Sequence, residues 1–379
     1  MNTLNRNNVD PIRFRRHLHR HPELSFEEHR TAAFITEQLT AAGIACRPIA
    51  STGVLATLVG RRSTPETARR ALVLRADIDA LPIRERTGLP YASEHDGVMH
   101  ACGHDLHAAI LYGVLCRLAA DPDFEGTVLG LFQPGEECNP GGASLVLAED
   151  PFAAYDVQAV VGEHCEWQLP VGTFGFRAGK FMAACDELHL TVTGRGGHGA
   201  RRELLQDPVA AAARLVTRLL DLNASERILS IGRIVADGAT NVVPDTVTLA
   251  GTLRTFDEQV RRESHALIAA CAARTDEACG THTQAGISHG YPCVVNDAAL
   301  VEQAVALARR RGDAVEMLPM RPMAEDFGFY TQRYPSLFYR LGVGPDAGRS
   351  HTAEYAPSEA AIGVGIDFLS ALAYEILNR

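Results

Sequence analysis

The sequence predicts an α/β protein with a mostly parallel mixed sheet, interrupted by an inserted α+β unit of ferredoxin-like order. Three observations predict it. Strand and helix signals alternate through the first half, as when helices cover a largely parallel sheet. Near residue 183 the pattern changes to strands that alternate apolar and polar residues. From about Asn296 the first pattern returns. The expected boundaries are 1–182 with 296–379 for the larger domain and 183–295 for the insertion.

Taken in order, Ser25-Phe-Glu-Glu28 reads as a capping box, the Ser25 hydroxyl accepting from the Glu28 amide and the Glu28 carboxylate reaching back. Ala32, Ile35, Leu39 and Ala42 then share one helical face, and Gly43 marks the stop. Residues 54–59 and 71–74 read as strands, the second running into Arg75-Ala-Asp77. A helix over about 105–120 follows, then apolar strands at 127–132 and 157–162. In the insertion, Leu188, Leu190 and Val192 alternate with polar residues. Asp207 caps, and Pro208 opens, a helix to about Asn223. Strands at 228–235 and 247–256, a helix over 257–277 and a strand near 281–288 complete a β-α-β-β-α-β order. A strand at 337–341 and a final helix with Ile362, Ile366, Leu369, Ala373 and Ile376 on one face close the chain.

Composition narrows the function classes. With 36 basic and 46 acidic residues the net charge is −10, which argues against a nucleic-acid groove or an anionic membrane surface as partner. No run approaches the roughly 18 uninterrupted apolar residues of a membrane span. The polar N-terminus lacks the apolar segment of a signal peptide, so a cytoplasmic location is expected. Nine cysteines, an odd number, are then expected as reduced thiols. Fifteen histidines are the first hint of chemistry.

The densest cluster, Met99-His-Ala-Cys-Gly-His-Asp-Leu-His107, packs His100, Cys102, His104, Asp105 and His107 together. Thiolate and imidazole suit a borderline divalent ion, and Gly103 lets two ligands converge from one turn. Gln133-Pro-Gly-Glu-Glu137 follows a strand, the end at which open α/β sheets place their sites. Of adjacent carboxylates there, one can bind metal while the other faces a bound water. His164 and His351 also follow predicted strands. Five donors (Cys102, His104, Glu137, His164 and His351) exceed what one tetrahedral ion takes, so a two-metal site is expected. His17, His19 and His21 read as scaffold, since no partner carboxylate is placed by the pattern.

These residues carry a resemblance. His19-Arg-His-Pro-Glu-Leu-Ser-Phe-Glu27, Arg75-Ala-Asp-Ile-Asp-Ala-Leu-Pro82, Met99-His-Ala-Cys-Gly-His-Asp105, Gln133-Pro-Gly-Glu-Glu137, Gly196-Gly-His198, Asn241-Val-Val-Pro-Asp245 and Ala324-Glu-Asp-Phe327 run nearly end to end in order. The chain resembles the M20 clan of metal-dependent amidohydrolases, in the branch of hippurate hydrolases, aminoacylases and auxin-conjugate hydrolases. The resemblance implies metal ligands at Cys102, His104, Glu137, His164 and His351, with Cys102 bridging, and Glu136 as general base. Arg75-Ala-Asp77 occupies the place where other branches have a metal-binding His and an orienting Asp, which leaves Asp77 at most a supporting role. The insertion matches the family's dimerisation or lid domain. His198 looks like the histidine that reaches across the dimer to the substrate carbonyl, and Asn241 and Arg254 like the pair that holds the substrate carboxylate.

The function so implied is hydrolysis of an N-acyl amino acid to a carboxylate and a free amino acid. Two divalent ions are expected, Zn or Mn first, with Ni or Co also compatible. A homodimer is expected through the insertion. The alternative on the same metals is a dipeptidase or carboxypeptidase-like activity; a non-catalytic metal or ligand binder has no use for Glu136 beside Glu137. One departure stands out. Relatives commonly continue after Gly-Gly-His with small residues, a proline and a histidine, whereas this chain reads Gly199-Ala-Arg-Arg-Glu203. Arg201 and Arg202 would favour an acidic substrate if they face it.

Overall fold

The computed structural model describes residues 10–378, which divide into two compact units. The larger comprises 10–179, 295–319 and 329–378; the smaller comprises 180–294 and 320–328.

The larger unit is built on an eight-stranded mixed sheet, in the order Ala45–Ile49, Gly53–Val59, Thr127–Gln133, Arg70–Asp77, Asp156–Glu166, Ser336–Gly342, Thr173–Phe176, Ala314–Met317. Its four central strands run parallel, so Gln133, Asp77, Glu166 and Gly342 end at one edge. The helix His104–Ala120 lies against Arg70–Asp77 and is packed in turn by Pro11–Arg20 and Ala360–Leu377. It is apolar nearly all round, with Leu106, Ile110, Leu115 and Leu118 fully buried. Each such side chain contributes about 1.5–3 kcal/mol of apolar transfer. Ala360–Leu377 is long and apolar enough to cross a membrane by length and composition. Its Ile362, Phe368, Leu369, Leu372 and Ala373 are spent on this core instead. All nine cysteines are free.

The expected capping box does not form. The helix begins at His29, and the first-turn N–H of the buried Thr31 is taken by the Glu23 carboxylate at 2.8 Å. Ser25 is released from that task and donates to Asp79 at 2.7 Å instead. Ile35 and Leu39 are buried as the periodicity requires, and Gly43 turns the chain with φ +73°.

The smaller unit is a four-stranded antiparallel sheet, in the order Arg227–Ala236, Thr246–Thr255, Ala184–Thr193, His282–Ser288, with the helices Pro208–Leu220 and Glu258–Cys279 on one face. Leu188, Leu190, Val192, Val247, Leu249 and Leu253 point into that layer. Asp207 and Asp257 cap the two helices through their first free amides. The outer strand Arg227–Ala236 slips register between Ile231 and Arg233 and leaves Ile234 and Val235 exposed.

Candidate metal centre

The parallel strands deliver their loops to one edge, and the chemistry collects there. Cys102 and His104 stand on the turn that opens His104–Ala120. Gly103 between them has φ +101°, and a Cβ there would lie 2.9 Å from the Cys165 sulfur. Glu136 and Glu137 follow Gln133 in a loop rather than on a strand, so the alternation of strand faces does not separate them. His164 sits within Asp156–Glu166, two residues before its end. His351 follows Ser336–Gly342 through a loop and holds φ +63°, a conformation costly for a non-glycine and concentrated at functional sites. Its backbone N–H donates to Ala101 O at 2.7 Å, which seats the loop against the Cys102 turn.

Donor atoms of Cys102, His104 and His164 lie within 4.8 Å of one another, as do those of Cys102, Glu137 and His351. Two triads therefore share the Cys102 sulfur. The Glu136 carboxylate falls within the same distance of His104 and Glu137 and is almost fully buried. All five expected ligands and the expected base are thus brought together.

Hydrogen bonds fix which ring nitrogen each histidine offers. His104 Nδ1 donates to Asp79, at 3.0 Å to the carbonyl and 3.1 Å to the carboxylate, which turns its buried, unbonded Nε2 into the site. His164 Nδ1 donates to Cys165 O at 2.7 Å, with Nε2 3.3 Å from the Cys102 sulfur. His107 offers nothing: Nδ1 meets Asp77 at 2.6 Å and Nε2 accepts from the Cys165 amide at 2.8 Å. The grouping of Asp77, His104 and His107, though equally tight, is therefore a hydrogen-bonded support.

Burial pushes the Cys102 thiol up, and Glu137 adds to this. Burial also drives His164 well down, helped by Arg340, so it stays neutral. His351 is raised to about 10 by its bonds to Cys102 and Glu137. Burial opposes charge on His104, yet Asp77 and Cys102 raise it well above the ordinary value. Positive charge is thus favoured at His104 and His351 and opposed at His164, and one thiol, one carboxylate and three imidazoles suit a borderline divalent ion. These residues fit metal.

The sequence reading missed Asp79 and favoured Asp77. Asp77 instead bonds His107 and Arg75, while Asp79 orients His104 and also accepts from the Glu137 amide at 2.9 Å. The sequence signal, two carboxylates two residues apart at a strand exit, marks both and does not tell them apart, since the strand stops at Asp77.

His198, Asn241 and Arg254 belong to the smaller unit. His198 is exposed and pairs with Val242, next to the exposed Asn241. Arg254, whose Nη1 donates to Pro322 O at 2.8 Å, pairs with Cys185, at the far end of Thr246–Thr255 from Thr193. Eight residues of strand (254 − 246) separate that end from the His198 side, roughly 26 Å. One chain does not bring Asn241 and Arg254 together. Arg201 is answered by Glu203 at 3.1 Å. Arg202 lines a depression of about 410 Å³ with Val243, Arg214 and Cys279. Since Val243 pairs with Gly197 and Val242 with His198, strand alternation turns Val243 and His198 to opposite faces.

Comparison with known proteins agrees with this chemistry. Residues 73–375 match the family described as Peptidase family M20/M25/M40. The chain is 38% identical to the N-acetyl-L-cysteine deacetylase of Bacillus subtilis, over 97% of this chain and 88% of that one. It is 34% identical to the N-acetyldiaminopimelate deacetylase of Geobacillus thermodenitrificans, over 94% and 95%. It superposes on the crystal structure of Bacillus subtilis YXEP protein, described as a dinuclear metal binding peptidase from the M20 family, with TM-score 0.86 and 33% identity over 97% of both chains.

Proposed function

The chain belongs to the M20/M25/M40 peptidase family as a metal-dependent amidohydrolase, and on that premise we propose that it hydrolyses N-acyl amino acids, releasing a carboxylic acid and a free amino acid. The observation that carries this is the pair of donor triads sharing Cys102, with the Glu136 carboxylate beside them. Deacetylase relatives that act on N-acetylated amino acids support the substrate class.

The proposed ligands are Cys102, His104 and His164 for one ion, and Cys102, Glu137 and His351 for the other, with Zn or Mn the first choices. Such ions, when bound, lower the pKa of water and polarise the amide carbonyl. Glu136 takes the proton of the attacking water as the C–O bond forms and passes it to the leaving nitrogen as the C–N bond breaks. Asp79 and the Cys165 carbonyl keep the lone pairs of His104 and His164 aimed inward. His198 donates to the developing oxyanion. Arg254 and Asn241 bind the amino acid's carboxylate. Roughly 26 Å of strand separates Arg254 from the Thr246 end, next to which Asn241 lies, too far for both to reach one small substrate from the same chain, so Arg254 would come from one protomer and His198 with Asn241 from its partner. The exposed outer strand Arg227–Ala236 is the surface we assign to that homodimer. Arg202, turned from the His198 face, is not assigned to substrate.

The deciding experiment follows amine release by mass spectrometry from N-acetyl, N-benzoyl and indoleacetyl amino acids, p-aminobenzoyl-glutamate and plain dipeptides. The chelated protein is supplied with Zn or Mn. Release confined to N-acyl amino acids is expected. Release mainly from dipeptides would replace this reading with a peptidase.

A further inference from the structure

We propose that Arg15 and His19 are positioning residues for the metal ligands, acting through the Asp105 carboxylate. The proposal rests on the ligand set assigned above. Arg15 and His19 stand one turn apart on Pro11–Arg20, so they share a face, and both are fully buried. Arg15 Nε donates to Asp105 Oδ2 at 2.9 Å, and His19 Nδ1 meets the same oxygen at 2.9 Å. Asp105 directly follows His104 in the first turn of the helix that carries it.

The same guanidinium reaches further. Its Nη1 donates to Pro357 O at 3.2 Å, in the segment that leaves His351, and lies 3.4 Å from the Tyr91 hydroxyl. On its other side His19 Nε2 sits 3.3 Å from Glu85. Burial works against charge on His19, but Asp105 and Glu85 raise its pKa to about 9, so it is a cation at neutral pH. Two buried cations on the N-terminal helix therefore clamp the Cys102–His104 turn and tie it to the chain beyond His351. Neither touches a donor atom of the site.

An ordinary stabilising ion pair is the competing explanation. Buried pairs are a poor source of stability, because desolvation offsets the attraction. What two donors converging on one oxygen do supply is a fixed direction for the turn. Groups that orient metal ligands typically change metal affinity 10–100-fold when altered.

The smaller unit offers an internal control: Arg261 is also buried and donates to Asp186 at 2.9 Å, far in sequence from every ligand. Full-length protein freed of metal would be titrated with Zn2+ against a chromophoric chelator, with circular dichroism to report folding. Arg15→Lys and His19→Leu are expected to weaken Zn2+ binding about 10–100-fold with the fold retained, and Arg261→Lys to leave it unchanged. Wild-type Zn2+ affinity in Arg15→Lys and His19→Leu overturns the proposal, as does an equal loss in Arg261→Lys. Should Arg15→Lys fail to fold, His19→Leu, which keeps the Arg15–Asp105 contact, decides alone. Glu137→Ala separates the two levels. Retention of both Zn2+ equivalents there sinks the ligand assignment itself, whereas loss in Glu137→Ala with none in the clamp variants sinks only this inference.

Discussion

Glu136 and Glu137 are chemically identical neighbours that the loop after Gln133 sets in different surroundings. The Glu137 backbone is pinned by Asp79, and its carboxylate lies 3.1 Å from His351. Glu136, nearly buried, approaches the same donors from beside them. Glu136→Gln keeps the shape and removes the proton acceptor, so metal content should stay at the wild-type level while turnover falls roughly 10²-fold or more. Elemental analysis with steady-state kinetics checks this, and wild-type turnover in the metal-replete variant would remove Glu136 from the chemistry. That these five side chains would gather was legible because cysteine, histidine and glutamate crowd a few short stretches of the sequence. Asp79 was not, since Asp77 and Asp79 are indistinguishable until the strand is seen to stop at Asp77. Nor were the carboxylate partners of His19, which stand 66 and 86 positions away.

Secondary structure was most readable where a cap and a periodicity agree. Asp207-Pro208 starts its helix as local chemistry dictates, and the strand Ala184–Thr193 buries every second residue. Ser25-Phe-Glu-Glu28 had the right letters, but the helix starts only at His29, where Glu23 takes the Thr31 amide, and the Ser25 hydroxyl is drawn to Asp79, so other contacts overrode the local signal. The short strands Ala45–Ile49, Thr173–Phe176 and Ala314–Met317 carry too few alternating residues to announce themselves. In the smaller sheet, Leu249 sits on the strand Thr246–Thr255 at 2% exposure, under two helices. Leu249→Ala should cost about 2–5 kcal/mol of stability in that unit, read from urea unfolding. A change below about 1 kcal/mol would show that the layer is not packed as described.

The α/β class was evident from alternation alone, because parallel strands need helical crossovers and those leave a long-period pattern in the chain. What no single sequence displays is which chain supplies which part of a site. If one protomer gives Arg254 and its partner His198, then mixing inactive His198→Ala and Arg254→Ala proteins, unfolded and refolded together, should restore about one quarter of wild-type activity. Half of the dimers would be hybrids, each with one complete site of two. Absence of recovery, with hybrids shown to form, would place the whole site in one chain. The ligand positions have one more consequence. Cys102 and His351 stand 249 residues apart (351 − 102), so an ion bridging them would close most of the polypeptide into a ring. An ion that binds only the folded form adds mass-action stabilisation, since unfolding would part donors held together across that ring and release it. The cofactor would then act as a clasp as well as a reagent, and its loss would open the protein to proteases as well as silencing it.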